Sequence, residues 1–325
     1  QNQCIHGART GFGRVDDHVS ADAVLIAGPT ASGKSAVAAR LAREFGGAVI
    51  NADSMQVYRE LRILSARPTE EEMHGAPHFL YGFVSVAEPY SVAKWLDAVR
   101  VAISVCAAQG LRPIVTGGTG LYFSALTQGL APIPEIHAQL RVEVRQAFEA
   151  IGAERFHAEL ASRDPIMAAR IAPTDAQRMI RAYEVLEATG VSLAEWQEVK
   201  GEPAIESAAL TFVLKPNREW LYHRINSRFD AMIGQGALRE AEALMAMHLP
   251  PDLPALRALG VPQLTAHLRG EIALEAAVEQ AKTQSRRYAK RQMTWFRHQM
   301  PDWPVIEEQM SERLYQRLAR QMEGL

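Results

Sequence analysis

Ala27-Gly28-Pro29-Thr30-Ala31-Ser32-Gly33-Lys34-Ser35-Ala36-Val37 is the stretch on which the fold of this chain turns. Gly28, Gly33, Lys34 and Ser35 stand in the register of the phosphate-loop pattern G-x-x-x-x-G-K-[ST]. Val24-Leu25-Ile26-Ala27 before it is a short apolar run, and Ala36 to Phe45 after it has helical composition with few breakers. Strand, loop, helix is the context that the pattern requires. In such a loop, successive backbone N–H groups and a helix N-terminus point at one anion. Lys34 adds a point charge, and a hydroxyl at the place of Ser35 commonly ligates Mg²⁺. The pattern implies a phosphate ligand and leaves the reaction open.

Working outward, Ala48 to Ala52 reads as a second buried strand that ends at Asp53. Val92 to Gln109 reads as a helix, and Pro113 to Thr116 as a third strand running into Gly117-Gly118-Thr119-Gly120. Strands alternating with helices predict an α/β fold with a doubly wound parallel sheet, whose ligands sit at the strand carboxyl ends. From about Pro132 to Gly201 the chain is rich in Ala, Glu, Arg and Gln and shows helical periodicity, so a helical insertion is expected there. Ala209 to Leu214 returns to β composition, and from Arg218 onward the chain is mostly helical. The expected organisation is a flexible leader over 1–22 and a phosphate-loop core over 23–131. A helical insertion over 132–203 follows, and the core resumes over 204–325 with basic C-terminal helices.

Composition narrows the class. The 325 residues are 48% hydrophobic with a net charge of −2, which supports a real core and excludes a uniformly basic nucleic-acid binder. No apolar run is long enough to span a membrane. Cys4 and Cys106 stand far apart without Cys/His clustering, which excludes a zinc module and a disulfide framework and suits a reducing cytoplasm. Gln1 to Asp22 lacks the apolar segment of a signal peptide.

Several residues carry candidate chemistry. Asp53, at the end of the second strand, can ligate Mg²⁺ through water, take a proton from an acceptor, or simply cap a turn. Gly117-Gly118-Thr119-Gly120 offers a second glycine-rich strand end, where glycine lets a backbone approach a ligand and Thr119 brings a hydroxyl. Arg224 and Arg228, four apart, share a helix face, either as a diphosphate clamp or as a solvated surface partnered by Glu219 and Asp230. Lys282, Arg286, Arg287, Lys290, Arg291 and Arg297 form a run without an acid, suited to tracking phosphates or to a solvated helix face. Trp295 and Phe296 read as core anchors, and His78 as a structural histidine.

The series G-P-T-A-S-G-K-S, D-S-M-Q-V-Y and G-G-T-G-L-Y, at Gly28, Asp53 and Gly117, resembles the tRNA dimethylallyltransferase (tRNA isopentenyltransferase) family, bacterial type. The resemblance continues through Asp175 to Ala182, Arg218 to Phe229, Arg257 to Gly260 and Lys290 to Trp295, so it covers about residues 23 to 305. It implies transfer of a dimethylallyl group from its diphosphate to N6 of the adenine at tRNA position 37, in tRNAs reading codons that begin with U. Gly28, Pro29, Thr30, Ala31, Ser32, Gly33, Lys34, Ser35 and Arg224 would bind the diphosphate, with Mg²⁺ at Ser35. Asp53 would be the general base, Thr119 would hydrogen-bond near the reacting centre, and Arg228 would act on the departing group. For the tRNA anticodon stem-loop, the resemblance implies contacts at Asp53, Ser54, Met55, Gln56 and Thr119. Further contacts are implied at Arg141, Gln177, Arg178, Met179, Ile180 and Arg181, and again at Arg257, Lys290, Arg291 and Arg297. A monomer acting in the cytoplasm, with no membrane partner, is expected.

Two stretches depart from the family pattern. Pro262 stands where many members carry Arg or Lys, which weakens the expectation of a tRNA contact there, and Ser65 to Thr69 differs from the commoner G-T-A-[KR]-P. Three other readings share part of the pattern. A small-molecule kinase explains Lys34, Ser35 and Asp53 but not the length or the Gly117 to Tyr122 signature. An isopentenyltransferase acting on free adenine nucleotides needs no large insertion. A non-enzymatic RNA binder would not need Lys34, Ser35, Asp53 and Thr119 together.

Overall fold

In the computed structural model, which describes residues 23–199, 201–208, 210–309 and 311–324, the apolar run before the phosphate loop lies inside a six-stranded sheet. Its strands are β1 (Val24–Ala27), β2 (Gly47–Asn51), β3 (His78–Phe79), β4 (Arg112–Gly117), β5 (Leu210–Leu214) and β6 (Val305–Ile306). They run in the order β3-β2-β4-β1-β5-β6, and every pairing is parallel. The expected leader, with Cys4, and Ala209 at the start of the expected strand lie outside the described residues.

Among the helices, α1 (Lys34–Glu44), α2 (Val92–Ala108) and α3 (Gly120–Gln128) cross between strands. The segment that follows holds α4 (Ala138–Ile151), α5 (Ala153–Arg163), α6 (Pro165–Arg170), α7 (Ala176–Thr189) and α8 (Leu193–Glu198). Beyond β5 come α9 (Arg218–Gln235), α10 (Ala237–Ala246), α11 (Val261–Leu268), α12 (Leu274–Gln299) and α13 (Glu312–Glu323). The chain divides into two compact units, one of Gln128–Pro203 and the other of the chain before and after it.

In the sheet unit, β1 and β2 are buried at every position, as strands covered on both faces must be. That is why they read as continuous apolar runs. Val24, Ile26, Val49, Ile114 and Phe212 pack on one face against Val37 and Leu41 of α1. Leu314, Leu318 and Met322, spaced every four residues on α13, close the same cluster. Each buried leucine there contributes about 1.5–3 kcal/mol by leaving water. The strands β3 and β6 were not expected: two residues show no periodicity, and each begins directly after a proline, Pro77 and Pro304.

Parallel register positions the site. Ala27 is level with Gly117, and Asn51 with Thr116, so the carboxyl ends of β1, β4 and β2 lie side by side. The phosphate loop, the Gly117 to Gly120 turn and Asp53 therefore emerge at one edge.

The other unit builds its own core from Val144, Phe156, Leu160, Met167, Met179 and Val185. Buried Asp164 accepts from the Met167 N–H at 3.0 Å and from the Ser192 hydroxyl at 2.8 Å, which joins the N-termini of α6 and α8. Met179 is 0% exposed, so the expected tRNA contact at this position is corrected to a core role. Its position on α7 puts it on the apolar face, three and four residues before Ala182 and Tyr183.

Candidate active site

Gly33 sits at φ 94° as the N-cap of α1, a left-handed conformation that a side chain would strain. The loop thus turns tightly enough to aim the start of α1 at an anion. Lys34 is 9% exposed, and its ammonium donates to the Pro29 carbonyl at 3.1 Å. Burial pushes its pKa down to about 8, against the pull of the Asp53 carboxylate, and the Arg228 guanidinium pushes it further down. Burial likewise holds Arg228 at about 10, with Asp53 raising it and Arg224 lowering it. Arg228 donates to the Thr30 hydroxyl. Lys34, Arg224, Arg228, Ser35 and Asp53 line one cavity of about 250 Å³. Cations crowded this way, with Asp53 and Glu72 also on the lining, form a receptor for a dense anion. Ser32 Oγ is buried without a hydrogen-bond partner among the described residues, a further donor left open in the loop.

Asp53 is held from behind. Its N–H donates to Asn51 Oδ1 at 2.8 Å, while Asn51 Nδ2 donates to the Asp53 carbonyl at 2.9 Å and to Leu80 at 3.0 Å. The Trp95 indole donates to the Asn51 carbonyl at 2.9 Å, and Tyr122 stacks on Trp95 at 4.2 Å. Asp53 Oδ1 accepts from the Met55 N–H at 2.9 Å, so the residue does close a turn as well as face the cavity. Thr119 braces the same turn, its hydroxyl oxygen accepting from the Ser54 N–H at 2.9 Å. The Tyr288 phenol hydrogen-bonds Thr119, and its pKa is raised by burial and by the nearby Asp53 charge.

The glycines of the second turn have a different purpose from the one expected. A Cβ on Gly117 would stand 2.0 Å from the Ala52 carbonyl oxygen, and one on Gly118 would stand 2.1 Å from Gln292 Nε2. One on Gly120 would stand 2.1 Å from the Trp295 ring. These glycines admit protein neighbours, Ala52 just beyond β2 and the side chains of α12, where close approach to a ligand was expected.

Known proteins resemble this chain along nearly all of it. A family model described as IPP transferase matches residues 56–299, and one described as Isopentenyl transferase matches residues 21–81. The chain is 54% identical to the tRNA dimethylallyltransferase of Azorhizobium caulinodans, over 86% of this chain and 90% of that one. It is 53% identical to the tRNA dimethylallyltransferase of Beijerinckia indica, over 88% and 96%. A crystal structure of the tRNA isopentenylpyrophosphate transferase of Bacillus halodurans superposes with a TM-score of 0.66 at 32% identity, over 94% of this chain and 98% of that one. A eukaryotic dimethylallyltransferase caught acting on tRNA superposes with a TM-score of 0.75 at 26% identity, over 89% and 74%. The chain belongs to the tRNA dimethylallyltransferase family. Membership sets aside the kinase and RNA-binder readings.

Residues expected to meet tRNA fall into distinct environments. Lys290, Arg291 and Arg297 are exposed on α12, and Arg287 is exposed beside them. Lys282 and Arg286 are not part of that free stripe: Lys282 pairs with Asp230 at 2.7 Å and Glu279 at 3.0 Å, and Arg286 donates to Asn226 Oδ1 at 2.6 Å. Asp230 and Asn226 come from α9, which is why a run without acids in sequence acquired partners in space. Gln56 is buried, and its Nε2 donates to the Ser65 and Ala66 carbonyls at 3.0 and 2.9 Å, which holds the 65–68 segment beside the cavity. Met55 packs half-buried against the Val57 and Leu61 cluster. Arg141, Gln177 and Arg178 are exposed and Ile180 and Arg181 are half-buried; Arg178 pairs with Asp175 at 3.2 Å and Arg181 with Glu184 at 3.4 Å. Arg257 is exposed in the short 3₁₀ turn Pro254–Arg257, and Pro262 sits in the first turn of α11, where its missing N–H is harmless. His78 Nδ1 lies 2.9 Å from the Ala76 carbonyl, the structural bond expected, though its ring also lines the cavity.

Two site residues escaped the sequence reading, Tyr288 and Gln292, both on α12. Gln292 is 5% exposed: its Oε1 accepts from the Thr30 N–H at 2.9 Å and its Nε2 donates to the Gly118 carbonyl at 2.8 Å. The legible signal was its place on the stripe of Ala281, Ser285, Ala289 and Phe296, because a polar residue on a buried stripe needs partners.

Proposed function

We propose that this chain transfers a dimethylallyl group from dimethylallyl diphosphate to the exocyclic N6 amine of the adenine at tRNA position 37, and releases diphosphate. Its tRNAs, on this reading, decode codons that begin with U. The observation that carries the reading is the cavity that Lys34, Arg224 and Arg228 share with Asp53.

The allylic C1–O bond breaks with its electron pair going to the diphosphate, and the N6 lone pair forms the new bond to C1. Lys34, Arg224, Arg228 and the N-terminus of α1 stabilise the charge growing on the diphosphate, where low dielectric strengthens their effect. Asp53 accepts one N6 proton as the bond forms, which offsets the poor nucleophilicity of an amine conjugated to the purine. Thr119 and Tyr288 keep the Asp53 turn in place. The adenine must leave its stack to reach Asp53, at a cost of about a few kcal/mol. Exposed Lys290, Arg291 and Arg297, together with Arg141, Gln177, Arg178 and Arg181, are the candidates for meeting that cost through backbone contacts.

The hydroxyl oxygen of Ser35 beside the cavity fits Mg²⁺, an ion that takes one or two protein oxygens and completes its shell with substrate phosphates and water. Among the described residues no group of three or more His, Cys, Asp or Glu could hold a metal unaided. Bound there, the ion would neutralise charge on the leaving diphosphate. With tRNA as substrate, the cytoplasm is the compartment of action, and a monomer suffices. No described helix is long and apolar enough to cross a membrane.

Incubation with dimethylallyl diphosphate and unmodified tRNA, followed by nucleoside mass analysis, tests this. N6-dimethylallyladenosine from position 37 is the expected product. Phosphoryl transfer from ATP with no allyl transfer would refute the reading.

A further inference from the structure

We propose that Gln292 is a positioning residue for the transfer, a carboxamide clamp that sets the distance between the diphosphate loop and the turn that braces the general base. The inference rests on the transferase reading and names a residue that reading does not require. One end of the amide receives the Thr30 N–H at 2.9 Å, and the other donates to the Gly118 carbonyl at 2.8 Å. The orientation is fixed by the partners, because a backbone N–H can only donate and a carbonyl can only accept. A neutral carboxamide does both at once.

Each partner leads into one half of the reaction. Thr30 carries the hydroxyl that accepts from Arg228, the guanidinium on the leaving-group side. Gly118 precedes Thr119, whose hydroxyl oxygen accepts from the Ser54 N–H, next in the chain to Asp53. Arg228, Thr30, Gln292, Thr119 and Ser54 thus form one connected series from the anion receptor to the base. Gly118 leaves the room the amide needs, since a Cβ there would stand 2.1 Å from Nε2. Because Gln292 occupies the Thr30 N–H, Thr30 acts toward the diphosphate through its hydroxyl and Arg228, and its amide is not part of the cradle as expected. Helix α12 seats the clamp firmly: Ala289, Gln292 and Phe296 are buried along one stripe, and Tyr288, four residues before Gln292, reaches Thr119.

The experiment uses Gln292→Met, similar in length but without polar groups, and Gln292→Glu. Single-turnover transfer is measured at saturating tRNA and dimethylallyl diphosphate, with tRNA affinity by filter binding and melting temperature measured alongside. For Gln292→Met, tRNA affinity should stay within about twofold while transfer slows by roughly 10–10²-fold, the scale of an ångström of misplacement. A protonated Glu donates and accepts as Gln does, whereas its carboxylate cannot donate to Gly118. The rate of Gln292→Glu relative to wild type should therefore rise as pH falls from 8 to 5, the ratio cancelling whatever titrations the two proteins share. A lowered melting temperature with an unchanged saturated rate would reduce Gln292 to a structural role and overturn the proposal. So would a Gln292→Glu ratio that is flat with pH, which keeps the test decisive should Gln292→Met fail to fold. Absence of transfer by the wild type would strike the transferase reading instead.

Discussion

Lys34→Met should make the free protein more stable while removing its response to diphosphate. Lys34 is buried, and its pKa falls from 10.5 to about 8, chiefly through burial. That difference corresponds to about 3 kcal/mol by which the charged form is disfavoured in the folded state. The unfolded chain therefore binds more protons than the folded one between pH 8 and 10.5. Wild-type stability should rise through that window, by at most about 3 kcal/mol from this residue. Methionine removes the buried charge, and the Pro29 carbonyl keeps the Ser32 N–H as a donor at 3.2 Å. Urea unfolding at pH 7 should show Lys34→Met more stable by about 1–3 kcal/mol, and the advantage should shrink toward pH 10.5. Added diphosphate at a hundred times its dissociation constant should stabilise wild type by about 2.7 kcal/mol and the variant hardly at all. A variant less stable than wild type at pH 7, or one with the same pH dependence, would refute the picture of a strained cation awaiting an anion.

Asp53→Asn should leave tRNA affinity intact and slow single-turnover transfer by roughly 10²–10⁴-fold, the worth of a general base; an unchanged rate removes Asp53 from the chemistry. Replacing Lys290 and Arg291 with Ala should lower the slope of log affinity against log salt by about one to two, with little effect on transfer at saturating tRNA. Lys282→Ala, whose ammonium is held by Asp230 and Glu279, should leave that slope unchanged; an equal drop in slope would mean that the α9 contacts open for RNA. Met179→Ala should destabilise its helical unit by about 2–5 kcal/mol, visible as an earlier urea midpoint, because the residue lies in the core.

Tertiary structure decided what the pattern of residues left ambiguous. Asp53 could cap a turn or serve chemistry, and in the fold one oxygen closes the turn through Met55 while the side chain lines the cavity. The cations of α12 form one undivided run in sequence, yet α9 withdraws Lys282 and Arg286 from it and leaves Lys290, Arg291 and Arg297 exposed. Glu279 holds Lys282 from within α12, but Asn226 reaches Arg286 from a helix 60 residues away, a distance over which periodicity carries no information.

The sequence by itself determined the parallel α/β core and the anion-binding loop, because both are written in short-range terms. β1 and β2 are continuous apolar runs since both their faces are covered, and Gly28, Gly33, Lys34 and Ser35 act within a single turn. It determined the family too, through motifs in order at Gly28, Asp53 and Gly117. Only the tertiary structure showed why Gly117, Gly118 and Gly120 are glycine, that Met179 is core, and that Gln292 bridges two loops that each lie more than 170 residues from it in the chain. Those facts concern which surfaces meet, and a close approach between distant segments leaves no local trace beyond a missing side chain or a polar residue on a buried stripe.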